Sequence, residues 1–152
     1  VAPYMGKDSI EPFTIYQGKW VVVLALTSNE GANDFQFFES HNNLKLFEKV
    51  MISVQDYTTN DNLMFVCGAT QAKMFIDIRL LAPNHFLLVP GIGAQAGDLK
   101  EVCKYGLNRE GGLIVNSSRG IIFADKGSDF DKAAKEKAIV LQEEMASYLK
   151  NI

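Results

Sequence analysis

Two cysteines, two histidines, four prolines and one tryptophan are all that this 152-residue chain holds of its rarer side chains. Cys67 and Cys103 stand far apart in sequence and in no CxxC spacing, so neither a disulfide framework nor structural zinc is expected, and a reduced cytoplasmic setting is. His41 and His85 have no ligand partners at metal spacing, so no metal is expected, and each reads as a surface or strand-edge histidine. No run approaches the ~18 apolar residues a membrane span needs, and no charged-then-apolar signal segment opens the sequence. Positive charge is not in excess: 15 Lys and Arg face 18 Asp and Glu, for a net charge of −3. That argues against a large nucleic-acid surface and leaves room for a local anion site.

What is present is apolar pattern. Hydrophobic residues make up 47% of the chain, enough for one domain with a core. Trp20-Val21-Val22-Val23-Leu24-Ala25-Leu26 is a continuous run that reads as a buried strand. Leu63-Met64-Phe65-Val66-Cys67, Phe86-Leu87-Leu88-Val89 and Leu113-Ile114-Val115 read the same way. Val1 to Gly6 reads as the tail of a strand entering a turn, so an absent N-terminal portion is expected.

Helical patterns alternate with these runs. One is expected from Ser9 to about Gln17, with Asp8 as N-cap and Pro12 in its first turn. Leu44, Phe47, Val50, Met51 and Val54 mark a second, ending before a turn at Thr59-Asn60-Asp61-Asn62. Gln71 to about Leu81 carries Met74, Phe75, Ile78 and Leu81 on one face. Asp98 caps a helix through Tyr105, with Gly106 expected in the left-handed position beyond it. Asp129 opens the last, whose Ala133, Ala134, Ala138, Leu141, Met145 and Leu149 form an apolar stripe. Between the first two, Phe35, Phe37 and Phe38 sit in a long polar-aromatic loop and are expected to pack.

The order, βα repeated, with strands too apolar for a wet face, predicts a parallel sheet covered by helices. Part of a (β/α)₈ barrel and a doubly wound sheet both fit.

Two loops carry the chemical signal. Pro90-Gly91-Ile92-Gly93-Ala94-Gln95-Ala96-Gly97 joins a strand to a helix, and its glycines let backbone N–H groups approach an anion while the Gln95 amide can donate to it. A tight turn that simply needs glycine is the plainer alternative. Asn116-Ser117-Ser118-Arg119-Gly120 also follows a strand. Arg119 offers a planar, permanently charged fork and the serines add hydroxyls; a surface arginine is the alternative there. In barrels a phosphate is commonly held by the loops after the last two strands, and these two loops occupy those places if Leu113 to Val115 is the last strand.

At these residues the sequence resembles the orotidine 5′-phosphate decarboxylase family, in its longer bacterial subtype. Residues 90–98 resemble the family's phosphate-gripping loop, with Ala96 where glycine is usual. Asn116-Ser117-Ser118-Arg119-Gly120-Ile121-Ile122 resembles its final-strand loop. Pro3-Tyr4-Met5-Gly6, Leu26-Thr27-Ser28-Asn29 and Val66-Cys67-Gly68-Ala69-Thr70 look like the loops after the fourth, fifth and sixth strands.

The resemblance implies an α/β fold, with residues 1–152 the C-terminal portion of a single TIM-barrel domain, from the end of strand 4 through helix 8. It implies Gln95, Ser118 and Arg119 on the substrate phosphate, Ser28 and Pro90 at the pyrimidine, and Gly91, Gly93 and Gly97 shaping the phosphate loop. The activity implied is cofactor-independent decarboxylation of orotidine 5′-monophosphate to UMP in pyrimidine biosynthesis, by a cytoplasmic homodimer without nucleic-acid or membrane partners.

The family's Lys/Asp motif, a K-x-D after strand 3, has no counterpart here. Lys7-Asp8, Asp98 and Asp125-Lys126 do not match it. No catalytic residue is therefore expected in this chain, nor the Asp that the family borrows from a second subunit. Cys67 ends a strand, where barrel catalytic residues sit, but with no His placed nearby in sequence it reads as a small buried residue. Two rival readings remain. One is a non-catalytic nucleotide-binding half-barrel; the other is an NADP-binding Rossmann-type domain, with residues 91–97 as its turn and Arg119 on a 2′-phosphate.

Overall fold

Each apolar run becomes a strand, because pairing in a covered sheet satisfies its backbone and its side chains together. The structure, a computed structural model, describes residues 1–58, 62–93 and 97–150. Its strands are β1 (Val21–Leu26), β2 (Leu63–Cys67), β3 (Phe86–Pro90) and β4 (Leu113–Asn116). The helices are α1 (Glu11–Thr14), α2 (Ala32–Phe35), α3 (Leu46–Gln55), α4 (Phe75–Leu81), α5 (Leu99–Gly106), α6 (Ser118–Ile122) and α7 (Phe130–Leu149). Short 3₁₀ turns form at Pro3–Met5, Lys7–Ser9 and Ala69–Met74.

All four strands pair in parallel, in the order β1-β2-β3-β4. Sheet order follows chain order without reversal, so the described sheet has no topological switch point. A dinucleotide-binding fold requires one. Consecutive βα units of a (β/α)₈ barrel have this arrangement.

The core lies between the sheet and α3, α4 and α5. Val21, Val23, Phe65, Leu87 and Val89 meet Phe47, Met51, Val54, Phe75, Ile78 and Val102, all buried. The opposite face of the sheet is less covered: Val22, Leu24, Val66 and Leu88 are half-buried and Ile114 is exposed. The strands are apolar on both faces, and the second face is only partly covered. At the outer edge of β1, Val1 donates to the Val22 carbonyl at 2.6 Å and accepts from Leu24 N–H at 2.9 Å. This is the spacing of a parallel neighbour, as expected of a strand's tail.

Asp98 caps α5 as expected, accepting from the N–H groups of Lys100 and Glu101 at 2.8 and 3.3 Å. Gly106, however, is the last residue of α5 and is not left-handed. It is needed for room: a Cβ there would stand 2.7 Å from the Phe75 ring. The first helix shrinks to Glu11–Thr14, and Asp8 belongs to the preceding 3₁₀ turn instead of capping it. Ser9 and Thr14 each turn a hydroxyl onto a carbonyl three residues back, a local alternative to continued helix. Pro12 does sit in the first turn.

Trp20 lies outside the sheet, half-exposed, with its ring edge-on to Phe86 at 5.9 Å. Strand pairing begins one residue later, where Val21 N–H donates to the Asn62 carbonyl. The expected turn at Thr59-Asn60-Asp61 lies outside the described residues. Of the three loop phenylalanines only Phe37 packs, edge-on to Phe47 at 5.9 Å. Phe35 and Phe38 are exposed, so packing does not account for them. On α7, Leu141 and Met145 touch the core, but Ala138 and Leu149 face solvent, narrowing the expected stripe.

Candidate functional site

Parallel pairing sends the C-terminal end of every strand to one edge of the sheet, and the loops after them form a common rim. There the loops after β1, β3 and β4 enclose a cleft of about 160 Å³. Ser28, Pro90, Gly91, Ser118 and Arg119, from three separate stretches of sequence, all line it. Ile92 and Asn116 line it too. Neither was singled out from the sequence; Asn116 is drawn in by its register, opposite Pro90 across β3 and β4.

The loops are tied to one another. Ser117 Oγ donates to the Ile92 carbonyl at 3.1 Å, so this hydroxyl joins the two loops. Ser118 Oγ donates to Asn116 Oδ1 at 3.3 Å. The loop after β3 also closes its own neck: Gly97 N–H donates to the Gly91 carbonyl at 3.2 Å. Gly93 takes φ 77°, a conformation side chains disfavour, and a Cβ on Gly97 would stand 2.7 Å from the Gly91 carbonyl oxygen. Gln95 lies outside the described residues, as does Ala96.

β1 enters the rim with a bulge. Leu24 pairs with Val66 but Leu26 with Cys67, so Ala25 is an extra residue, and the alternation of buried positions breaks there. A bulge re-aims the residues beyond it, here Thr27 and Ser28. Thr27 N–H donates to Gln36 Oε1 at 2.7 Å, and Gln36 Nε2 donates back to Thr27 Oγ1 at 2.8 Å, holding the turn.

The lining contains one ionisable side chain, Arg119, and no lysine or carboxylate among the described residues. Arg119 is exposed and enters no salt bridge among them. Such a cleft can hold an anion with a planar, five-donor cation, and it offers no acid or base. Lys7 is paired instead with Glu11, at 3.2 Å on the surface. Cys67 is fully buried, and that burial pushes its thiol up to about 12, so it is not a nucleophile at neutral pH. Among the described residues no three His, Cys, Asp or Glu side chains group to hold a metal. His41 is exposed and His85 lies before β3, away from the cleft.

A larger cavity, about 340 Å³, opens at the other end of the strands, beside Trp20, Asn84, His85 and Glu110. Its size does not make it the site. Parallel α/β sheets bind ligands at the carboxyl ends of their strands, where loops can be varied without disturbing the sheet.

A family model described as orotidine 5′-phosphate decarboxylase / HUMPS family matches residues 1–136. The chain is 59% identical, over 152 residues, to a protein of Bacteroides fragilis named orotidine 5′-phosphate decarboxylase, covering 100% of this chain and 56% of that one. A protein of the same name from Flavobacterium johnsoniae is 54% identical over 149 residues, or 98% of this chain and 54% of that one. Among solved structures, Leishmania donovani UMP synthase aligns with a TM-score of 0.83 at 39% identity, over 97% of this chain and 32% of that one. Leishmania donovani OMP decarboxylase aligns at 0.80 and 37% identity, over 97% and 55%. The chain spans about half the length of the curated relatives it matches. On this family match and these identities, with a parallel βα architecture that agrees, the chain belongs to the orotidine 5′-phosphate decarboxylase / HUMPS family.

Proposed function

We propose that the polypeptide bearing this chain decarboxylates orotidine 5′-monophosphate to UMP without a cofactor, as a cytoplasmic homodimer. In this reading residues 1–152 form the C-terminal portion of a single TIM-barrel domain and supply the half that grips substrate. The observation that carries it is the meeting of Ser28, Pro90, Ser118 and Arg119 around one cleft at the carboxyl rim of a parallel sheet. Arg119, with Gln95, holds the phosphate; Ser28 and Pro90 meet the pyrimidine. Gly91, Gly93 and Gly97 shape the loop between them.

The division of labour follows from charge. Loss of CO₂ from the pyrimidine needs a proton donor and fixed charges at the reacting carbon, and the cleft's described lining has neither. Grip at the phosphate still contributes to rate, because binding energy gained away from the reacting carbon can be used to orient and close the site around it. The Lys/Asp pair then comes from the other half of the barrel.

Two measurements test this. Isothermal calorimetry on the complete enzyme should show saturable UMP binding and none of NADPH; the reverse preference would favour the dinucleotide reading. Residues 1–152 alone should turn over no orotidine 5′-monophosphate, and activity should appear when an N-terminal segment carrying the Lys/Asp motif is added. Turnover by residues 1–152 alone would refute the division of labour.

A further inference from the structure

The turn Gly68-Ala69-Thr70, after β2, supplies no side chain to the cleft lining, yet it touches the loops that do. On one side it meets Ser28. Thr70 Oγ1 donates to the Ser28 carbonyl at 3.1 Å, and Gly68 N–H donates to the Leu26 carbonyl at 2.9 Å. The approach is close enough to exclude any side chain at residue 68: a Cβ there would collide with Ser28 N and stand 2.7 Å from Ser28 Cα. On the other side the turn meets the phosphate loop. The Ala69 methyl is buried, and it lies 2.6 Å from where a Cβ on Gly97 would be. Gly97 in turn fixes the neck of that loop through its hydrogen bond to Gly91.

We infer that Gly68-Ala69-Thr70 is a positioning element that sets the gap between the base-contacting Ser28 and the phosphate loop. The inference rests on the functional reading above. β2 lies between β1 and β3 in the sheet, so the turn that ends it is the only described segment in line between those two rim loops. Each of its three residues has one task. Gly68 lets the Ser28 backbone approach, Thr70 anchors that backbone from its carbonyl, and Ala69 spaces the phosphate loop with a single methyl. A nucleotide spans both loops, so its affinity depends on their separation. A ligand that uses only one loop depends on that loop's own anchor. Thr70 therefore acts on the base end and Ala69 on the phosphate end, and the two are separable by ligand.

The test uses the complete enzyme with two ligands, UMP and ribose 5-phosphate, which carries the phosphate but no base. Thr70→Val removes one hydrogen bond at an exposed position and should leave the melting temperature nearly unchanged. It should weaken UMP about fivefold, the equivalent of one lost hydrogen bond, and ribose 5-phosphate less than twofold. Thr70→Ser, which keeps the hydroxyl, should restore UMP affinity. Ala69→Gly should weaken both ligands by a similar factor. Equal losses of both ligands in Thr70→Val, no loss at all, or a Thr70→Ser variant no better than Thr70→Val would overturn the inference while leaving the functional reading intact. Failure of the unaltered enzyme to bind either ligand would overturn both.

Discussion

Arg79 and Arg119 are the same residue at opposite ends of the same sheet, and they are used in opposite ways. Arg79, on α4, reaches the N-terminal ends of the strands and gives its donors to four backbone carbonyls. Nε donates to Gly106 at 2.6 Å, Nη1 to Ala82 at 3.0 Å and His85 at 2.7 Å, and Nη2 to Gly112 at 2.9 Å. It ties α4 to the end of α5 and to the approaches to β3 and β4. Desolvation pulls its guanidinium down to about 10, with the nearby Cys67 opposing, and it still holds its proton at neutral pH. Arg119 follows β4 and is exposed in the cleft. An arginine whose donors are used up within the protein stabilises a fold; one whose donors are left over is available to a ligand. The pairing sets the end of the strands that Arg79 braces apart from the end that carries the candidate site.

The two arginines should therefore separate in experiment, and exchanging the readouts is the way to break the comparison. Arg119→Ala should weaken UMP about 100-fold, since a charge-assisted, bidentate phosphate contact is worth roughly 3 kcal/mol. The same change should move the urea midpoint little, as surface substitutions do. Arg79→Met should reverse the pattern, lowering unfolding free energy by roughly 2–4 kcal/mol because it strips partners from carbonyls in a partly buried seam. Among molecules that remain folded, UMP affinity should be nearly normal. If Arg79→Met loses UMP affinity while keeping stability, the contrast between the two ends fails.

A smaller effect bears on the stability readout through pH. The Cys67 thiol stands at about 12 when folded, against 9.0 for an unburied thiol. The protonated form is thus favoured in the folded state, and the unfolded chain loses this proton first as pH rises. The contribution is fully present below pH 9 and is lost as pH climbs toward 12, at up to ~1.4 kcal/mol per pH unit. Cys103, raised by its own burial and then by Glu144, acts in the same direction. Urea midpoints between pH 9 and 11 should fall with pH, and fall less steeply in Cys67→Ala. A slope unchanged by that substitution would remove Cys67 as the source.

These contrasts also show what a sequence displays and what it conceals. The strands were legible because each is a local run of apolar residues, and local runs need no partner to be recognised. The rim loops were legible because glycine, glutamine, serine and arginine cluster directly after such runs, and two of these clusters line the same cleft. Arg79 was not legible. Its acceptors sit at residues 82, 85, 106 and 112, and only folding brings them to one point. Gly106 was misread for the same reason: its constraint is the Phe75 ring, from a different helix. Within the cleft, the loop pattern pointed to Ser118 and Arg119, whereas Asn116 enters through its register opposite Pro90. The first helix failed at a smaller scale, because hydroxyls at residues 9 and 14 bond locally and leave no trace in apolar periodicity.

The unreversed order of the sheet has a consequence in time. Each strand's partner is the strand made just before it, so pairing can proceed as the chain emerges, without waiting for a distant segment to return. β1 can accept β2, and β2 can accept β3, while β4 is still unmade. The cleft needs the loops after both β3 and β4, and the Ser117 bond to Ile92 joins the last of these to the one before. The rim cleft is thus the last part of this sheet to be completed, and a chain stalled before β4 would hold most of its core and lack Arg119.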